Sequence, residues 1–131
     1  MDITYRQSLQ ITSGKTPSTT GGTITEQDFS INPAEQLSIT DWNEDLFHRF
    51  ILPSGAINYP FPMGTVTTAS LLVFKPIAVN LSIKVVNANG TSQLLQFSAN
   101  RTSVVHMEFT GLLATNSTLN VIKGIFYLAG I

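Results

Sequence analysis

Ile77-Ala78-Val79-Asn80-Leu81-Ser82-Ile83-Lys84-Val85 alternates without a fault, and Asn87-Ala88-Asn89-Gly90 follows after one further residue. A strand repeats every two residues. Ile77, Val79, Leu81, Ile83 and Val85 therefore belong on a core, and Ala78, Asn80, Ser82 and Lys84 in water. A second apolar-polar run, residues 91–98, comes straight after the Asn-Gly pair. Asn-Gly between two alternating runs predicts a hairpin, because both residues tolerate the positive φ of a type I′ turn.

Working outward, the same pattern recurs. Residues 3–11 alternate Ile3, Tyr5, Leu9 and Ile11 on one face. Short strands are expected at 23–25, 28–31 and 36–40, a longer one at 65–74 ending before Pro76, and further strands at 103–109, 118–122 and 125–128. Asn100, Gly111 and Lys123-Gly124 supply turn chemistry between them. Residues 57–63 alternate Ile57, Tyr59, Phe61 and Met63, but Pro60 and Pro62 intervene. Proline cannot donate to a ladder, so this is an edge segment or an extended linker. The one candidate helical turn is 41–49, where Asp41 could cap with Glu44 three positions on. It runs into a strand, and the competing reading is a strand over 46–52.

The expected fold is all-β: a single antiparallel β-sandwich, jelly-roll-like, with an extended N-terminal arm. Residues 13–22 are too long and polar for a tight turn, so residues 1–22 read as a strand plus flexible arm or loop and 23–131 as the sandwich domain. Deleting residues 1–14 should leave a folded body and weaken assembly.

At 131 residues the chain is long enough for one domain with an adequate core. Its hydrophobic share of 43% is ordinary, but its charged share of 11% is less than half the usual ~25%. Ser and Thr make up about a fifth of it. Low charge suits a surface covered by neighbours. The net charge of −1 excludes a strongly basic nucleic-acid binder. The charge is divided: residues 1–49 carry seven acids against three bases, and residues 50–131 carry Glu108 against Lys75, Lys84, Arg101 and Lys123. Such a split could assist head-to-tail association, or be chance in so small a set. There is no cysteine to indicate compartment. The opening Met1-Asp2-Ile3-Thr4 has no basic or apolar leader pattern, and no run approaches a membrane-spanning length.

Chemistry-bearing residues are sparse. His48 follows Glu44 by four and Asp45 by three, and in a helix would share a face with either. His106 has only Glu108 near it, and metal spacing is absent. Asp41, Glu44 and Asp45 could act as paired carboxylates, but a solvated loop is the simpler reading. No nucleophile or phosphate-cradling motif occurs, so no enzyme, cofactor, metal or small-molecule ligand is expected. Trp42 can plug a sandwich end, anchor an interface or stack on a sugar. Asn80, Asn89, Asn100 and Asn116 each open an Asn-x-Ser/Thr pattern, read here as a by-product of composition.

The C-terminal half combines Leu71-Leu72-Val73-Phe74, the run Val79 to Val85, the Asn-Gly hairpin, Leu119-Asn120-Val121-Ile122 and the ending Ile125-Phe126-Tyr127-Leu128-Ala129-Gly130-Ile131. Over about residues 65–131 it resembles small structural proteins of tailed-bacteriophage virions. Residues 1–22 depart from that pattern. The resemblance implies a multi-copy, non-enzymatic virion component, made in a host cytoplasm, whose partners are other copies of itself and other virion proteins. A capsid decoration (cement) protein comes first and a neck or tail accessory protein second. Interface residues are then expected at Ile3, Tyr5, Leu9 and Ile11, whose strand could add to a neighbour's sheet edge, and at Trp42, Tyr59 and Phe61. Two other classes remain open: a carbohydrate- or receptor-binding module using Trp42, Tyr59 and Phe61, and a hydrolase using Asp41, Glu44 or Asp45 with His48.

Overall fold

The structure, a computed structural model, describes residues 3–6, 36–39 and 42–131. These fall into two units. In the first, β1 (Ile3–Arg6) and β2 (Gln36–Ile39) pair antiparallel, with Ile3 opposite Ile39 and Tyr5 opposite Leu37. The arm at 13–22, the expected strands at 23–25 and 28–31, and Leu9, Ile11 and Asp41 lie outside the described residues.

The second unit is built from β3 (Glu44–Leu52), β4 (Tyr59–Pro60), β5 (Ala69–Ile77), β6 (Leu81–Val86), β7 (Ser92–Phe97), β8 (Ser103–Phe109), β9 (Gly111–Ala114) and β10 (Ile122–Gly130). They form two antiparallel four-stranded sheets, ordered β3-β10-β5-β8 and β4-β9-β6-β7. The pairs β3·β10, β4·β9, β5·β8 and β6·β7 nest inward from the two ends of the unit. This is one long hairpin rolled over itself into two layers, the jelly roll that the strand pattern anticipated.

Alternation places the core between the layers. Leu52, Phe50, Phe74, Leu72, Phe126 and Leu128 face inward from the first sheet, and Leu81, Ile83, Val85, Phe97, Leu112 and Ala114 from the second. Aromatic rings close the gap: Phe50–Phe61 at 4.7 Å, Phe74–Phe97 at 4.6 Å and Phe61–Phe126 at 5.6 Å between centroids. Each buried ring contributes about 1.5–3 kcal/mol relative to exposure, which makes this cluster the chief cohesive element between the layers.

Several expected boundaries move. The 77–85 run is interrupted: β5 ends at Ile77, Ala78 takes φ +72°, and β6 starts at Leu81. Ile77 and Val79 are therefore exposed, and only Leu81, Ile83 and Val85 reach the core. The Asn89-Gly90 hairpin is present between β6 and β7, but only Gly90 has positive φ. Gly90 N–H donates to Asn87 O at 3.0 Å and Asn87 N–H to Thr91 O at 2.8 Å, a three-residue loop with its glycine in the left-handed position in place of a type I′ turn.

Pro76 lies inside β5 and does not end it. Its carbonyl accepts from Asn100 N–H on the side toward β8, beyond the last β8 pair at Phe74–Ser103, so its missing N–H removes no ladder bond. The 41–49 segment holds no helical turn among its described residues, because residues 44–52 are strand. Residues 118–120 are a bend in place of a strand, and β9 was not anticipated. β4 at Tyr59–Pro60 is the edge segment that its prolines predicted.

Candidate interaction surface

β3 alternates sharply. Leu46, His48, Phe50 and Leu52 turn toward the other sheet, while Asp45, Phe47, Arg49 and Ile51 turn away from it. Phe47 is 63% exposed and Ile51 60%. The register carries this outward set across the whole sheet: Phe47 opposes Tyr127, Tyr127 opposes Val73, and Val73 opposes Val104, itself 44% exposed. An apolar row thus crosses all four strands. The next rows are Arg49–Ile125–Lys75 and Ile51–Lys123–Ile77. On the other side lies Asp45–Ala129–Leu71–His106, whose middle members Ala129 and Leu71 are buried. A shallow recess opens between Phe47, Val73, Lys75, Thr102, Ile125 and Tyr127.

Tyr127 ties the apolar row to the charge beside it, donating its hydroxyl to Asp45 Oδ2 at 3.1 Å. Its pKa is pushed up to about 12, first by burial, then by the hydrogen bond to Asp45 and the carboxylate's charge. The phenol stays neutral and keeps donating through the physiological range.

The helical face that would bring His48 beside Glu44 or Asp45 does not form, because all three lie on the β3 strand, and Asp41 lies outside the described residues. Asp45 points to the opposite side of β3 from Glu44 and His48. Glu44 accepts a hydrogen bond from the Thr65 hydroxyl, and the His48 ring packs 5.4 Å from that of Phe126, tilted by 50°. Among the described residues no group of three His, Asp or Glu is placed to hold a metal. His106 and Glu108 are exposed on either side of half-buried Met107, as alternation implied.

The predicted interface residues separate. Phe61 is 5% exposed and packs among Phe50, Phe74 and Phe126, so its ring faces the core and not a neighbour. Tyr59 stays exposed, edge-on to Phe61 at 6.2 Å. Trp42 is half-buried two residues before β3 begins. Ile3 and Tyr5 lie on β1, in a unit of their own.

A second exposed apolar group was also missed. The loops at 53–58 and 115–121 are laced together by Gly55 N–Asn116 O at 2.9 Å, Asn116 N–Ala56 O at 2.8 Å and Ser54 Oγ–Thr118 O at 2.6 Å. They hold Ile57 and Leu119 in water, the latter 95% exposed. The signal for the outer face was present in the sequence: Phe47 and Ile51 interleave with Leu46, Phe50 and Leu52, which makes both sides of one strand apolar.

No protein-family model matches the chain, and no curated protein matches it.

Proposed function

We propose that the chain is a non-enzymatic structural subunit of a tailed-bacteriophage virion, a capsid decoration protein that assembles in multiple copies and stabilises the particle. The observation that carries this reading is the outward row Phe47–Tyr127–Val73–Val104 on the β3-β10-β5-β8 sheet, exposed at its two ends and half-buried between them. A contiguous apolar band rimmed by Asp45, Arg49 and Lys75 is what a binding face looks like before it is covered. The jelly roll is a rigid carrier for such a face and recurs in capsid and lectin domains, an analogy of fold only. Sparse surface charge fits a protein packed among neighbours. A neck or tail accessory position would use the same face. The glycan-binding alternative is weakened because Phe61, one of its three aromatics, is in the core.

The test is quantitative mass spectrometry of purified virions of the phage whose genome encodes the chain. Many copies per particle, in proportion to the major capsid protein, support decoration, whereas a small ring-sized number supports the neck or tail. Absence from purified particles overturns the proposal.

A further inference from the structure

β3 is an edge strand of its sheet: its ladder runs to β10 alone, and no partner takes its other side among the described residues. Natural edges are usually blunted. β4 is two residues long and contains Pro60, and β8 is kinked by a register shift against β5 between Ala69 and Leu71. β7 turns Ser92, Gln93 and Gln96 to water, together with Leu94. β3 carries charge at Glu44, Asp45 and Arg49, but neither a bulge nor a short length blunts it. It is nine residues long, free of proline and lysine, regular in register against β10, and exposes Phe47 and Ile51.

We propose that β3 pairs antiparallel with β3 of a second copy, joining two four-stranded sheets into one eight-stranded sheet across a two-fold axis. A two-fold axis permits only self-consistent registers, and the outward residues choose among them. Centring the axis on Phe47 sets Asp45 opposite Arg49 of the second copy, Arg49 opposite its Asp45, and Phe47 opposite Phe47. Both charge pairs are then complementary and the central pair is aromatic, each favourable across a ladder. Centring it on Arg49 sets Arg49 against Arg49, and centring it on Asp45 sets Asp45 against Asp45, both repulsive. The intermediate register centred on His48 leaves Asp45 against Ile51 and Phe47 against Arg49, so neither charge is paired. The Phe47-centred register overlaps residues 43–51 and supplies on the order of eight main-chain hydrogen bonds. It also makes the apolar row continuous: Val104–Val73–Tyr127–Phe47 runs directly into its symmetry mate.

This deepens the reading of the chain as a self-assembling subunit and depends on it only to that extent. The test is sedimentation equilibrium of the whole chain over a wide concentration range. Wild type should dimerise, more tightly at low salt. Arg49→Asp and Asp45→Arg each turn both cross-strand pairs repulsive, and each alone should dissociate about tenfold or more readily. Mixing the two variants restores opposite charges at every pair, so the mixture should form a heterodimer as tight as wild type, a recovery that misfolded chains could not show. The double variant carrying both changes should also dimerise. A monomeric wild type at the highest concentration reached, self-association indifferent to the reversals, or no recovery on mixing would overturn the proposal. A charge-sensitive dimer from a chain absent from virions would keep this pairing and remove the virion. Virion incorporation of a chain whose association ignores the reversals would do the opposite.

Discussion

Gly124 on β10 is registered opposite Phe50 on β3, and the Phe50 ring lies across the space that a Cβ on Gly124 would fill. The carbonyl oxygen of Lys75, on the other flanking strand, comes within 2.8 Å of the same point. The glycine is therefore demanded by space, and it lets the Phe50 ring cross into the centre of the aromatic cluster. Gly124→Ala should destabilise by roughly 1–3 kcal/mol through overpacking. Urea unfolding checks this as a lower midpoint at unchanged slope. Adding Phe50→Leu should recover part of the loss; a fully additive double variant would contradict the account.

Asn116 is the one buried polar side chain among the described residues, and it pins the β9–β10 loop to the end of β3. Its Nδ2 donates to Leu52 O at 3.3 Å, Pro53 O at 3.1 Å and Asn120 O at 2.8 Å, while Oδ1 accepts from Thr118 N at 3.0 Å. Asn116→Ala strips partners from several main-chain groups at once and should cost about 2–4 kcal/mol. Hydrogen exchange should quicken at residues 53–58 and 115–121 well before it does in β6. Uniform quickening across all strands would show that the loop is not a local unit.

The Tyr127–Asp45 hydrogen bond has a pH signature. Tyr127 titrates near 10 when unfolded and is raised to about 12 in the fold. Between those values the native state holds a proton that the unfolded chain has lost. The stabilisation is therefore complete below pH 10 and disappears as pH rises through 12. Phenolate absorbance should show a late-titrating phase from Tyr127, absent in Tyr127→Phe and shifted earlier in Asp45→Asn, since the carboxylate is among its causes. A late phase that survives Tyr127→Phe would assign it to another tyrosine.

Phe47 and Val104 sit at the two ends of the apolar row and touch little of their own core. Phe47→Ser and Val104→Thr should each change folding stability by less than about 1 kcal/mol. Each should nevertheless weaken incorporation into particles. Equal incorporation of the variants, read by mass spectrometry of assembled virions, would remove the row from the interface.

The sequence showed the architecture through its cleanest alternations, as in β8, where Val105, Met107 and Phe109 turn inward between exposed neighbours. The surface was harder to see for a physical reason. An outward Phe47 and Ile51 make β3 apolar on both sides, and inward His48 breaks the remaining alternation, so the segment imitated a capped helical turn at Asp41-Trp42-Asn43-Glu44. The interruption at Ala78 was equally hidden. A residue with a Cβ at φ +72° is uncommon, and here Asn100 Oδ1 accepts the Ala78 N–H from 22 residues away. Asn80 Oδ1 likewise accepts from Ala99 N at 2.8 Å, and Asn89 Oδ1 from Thr91 N at 3.1 Å. All four Asn-x-Ser/Thr positions are thus turn and loop fasteners: Asn89 closes its own turn, while Asn80, Asn100 and Asn116 also reach partners far along the chain, which leave no local pattern.

Cryo-electron microscopy of particles carrying the chain tests the central claim most directly. The account predicts eight-stranded jelly-roll density in repeated copies on the capsid, with Phe47, Val73, Val104 and Tyr127 covered by neighbouring protein. Density in which the β3-β10-β5-β8 face looks out into solvent, or particles with no such density, would contradict it.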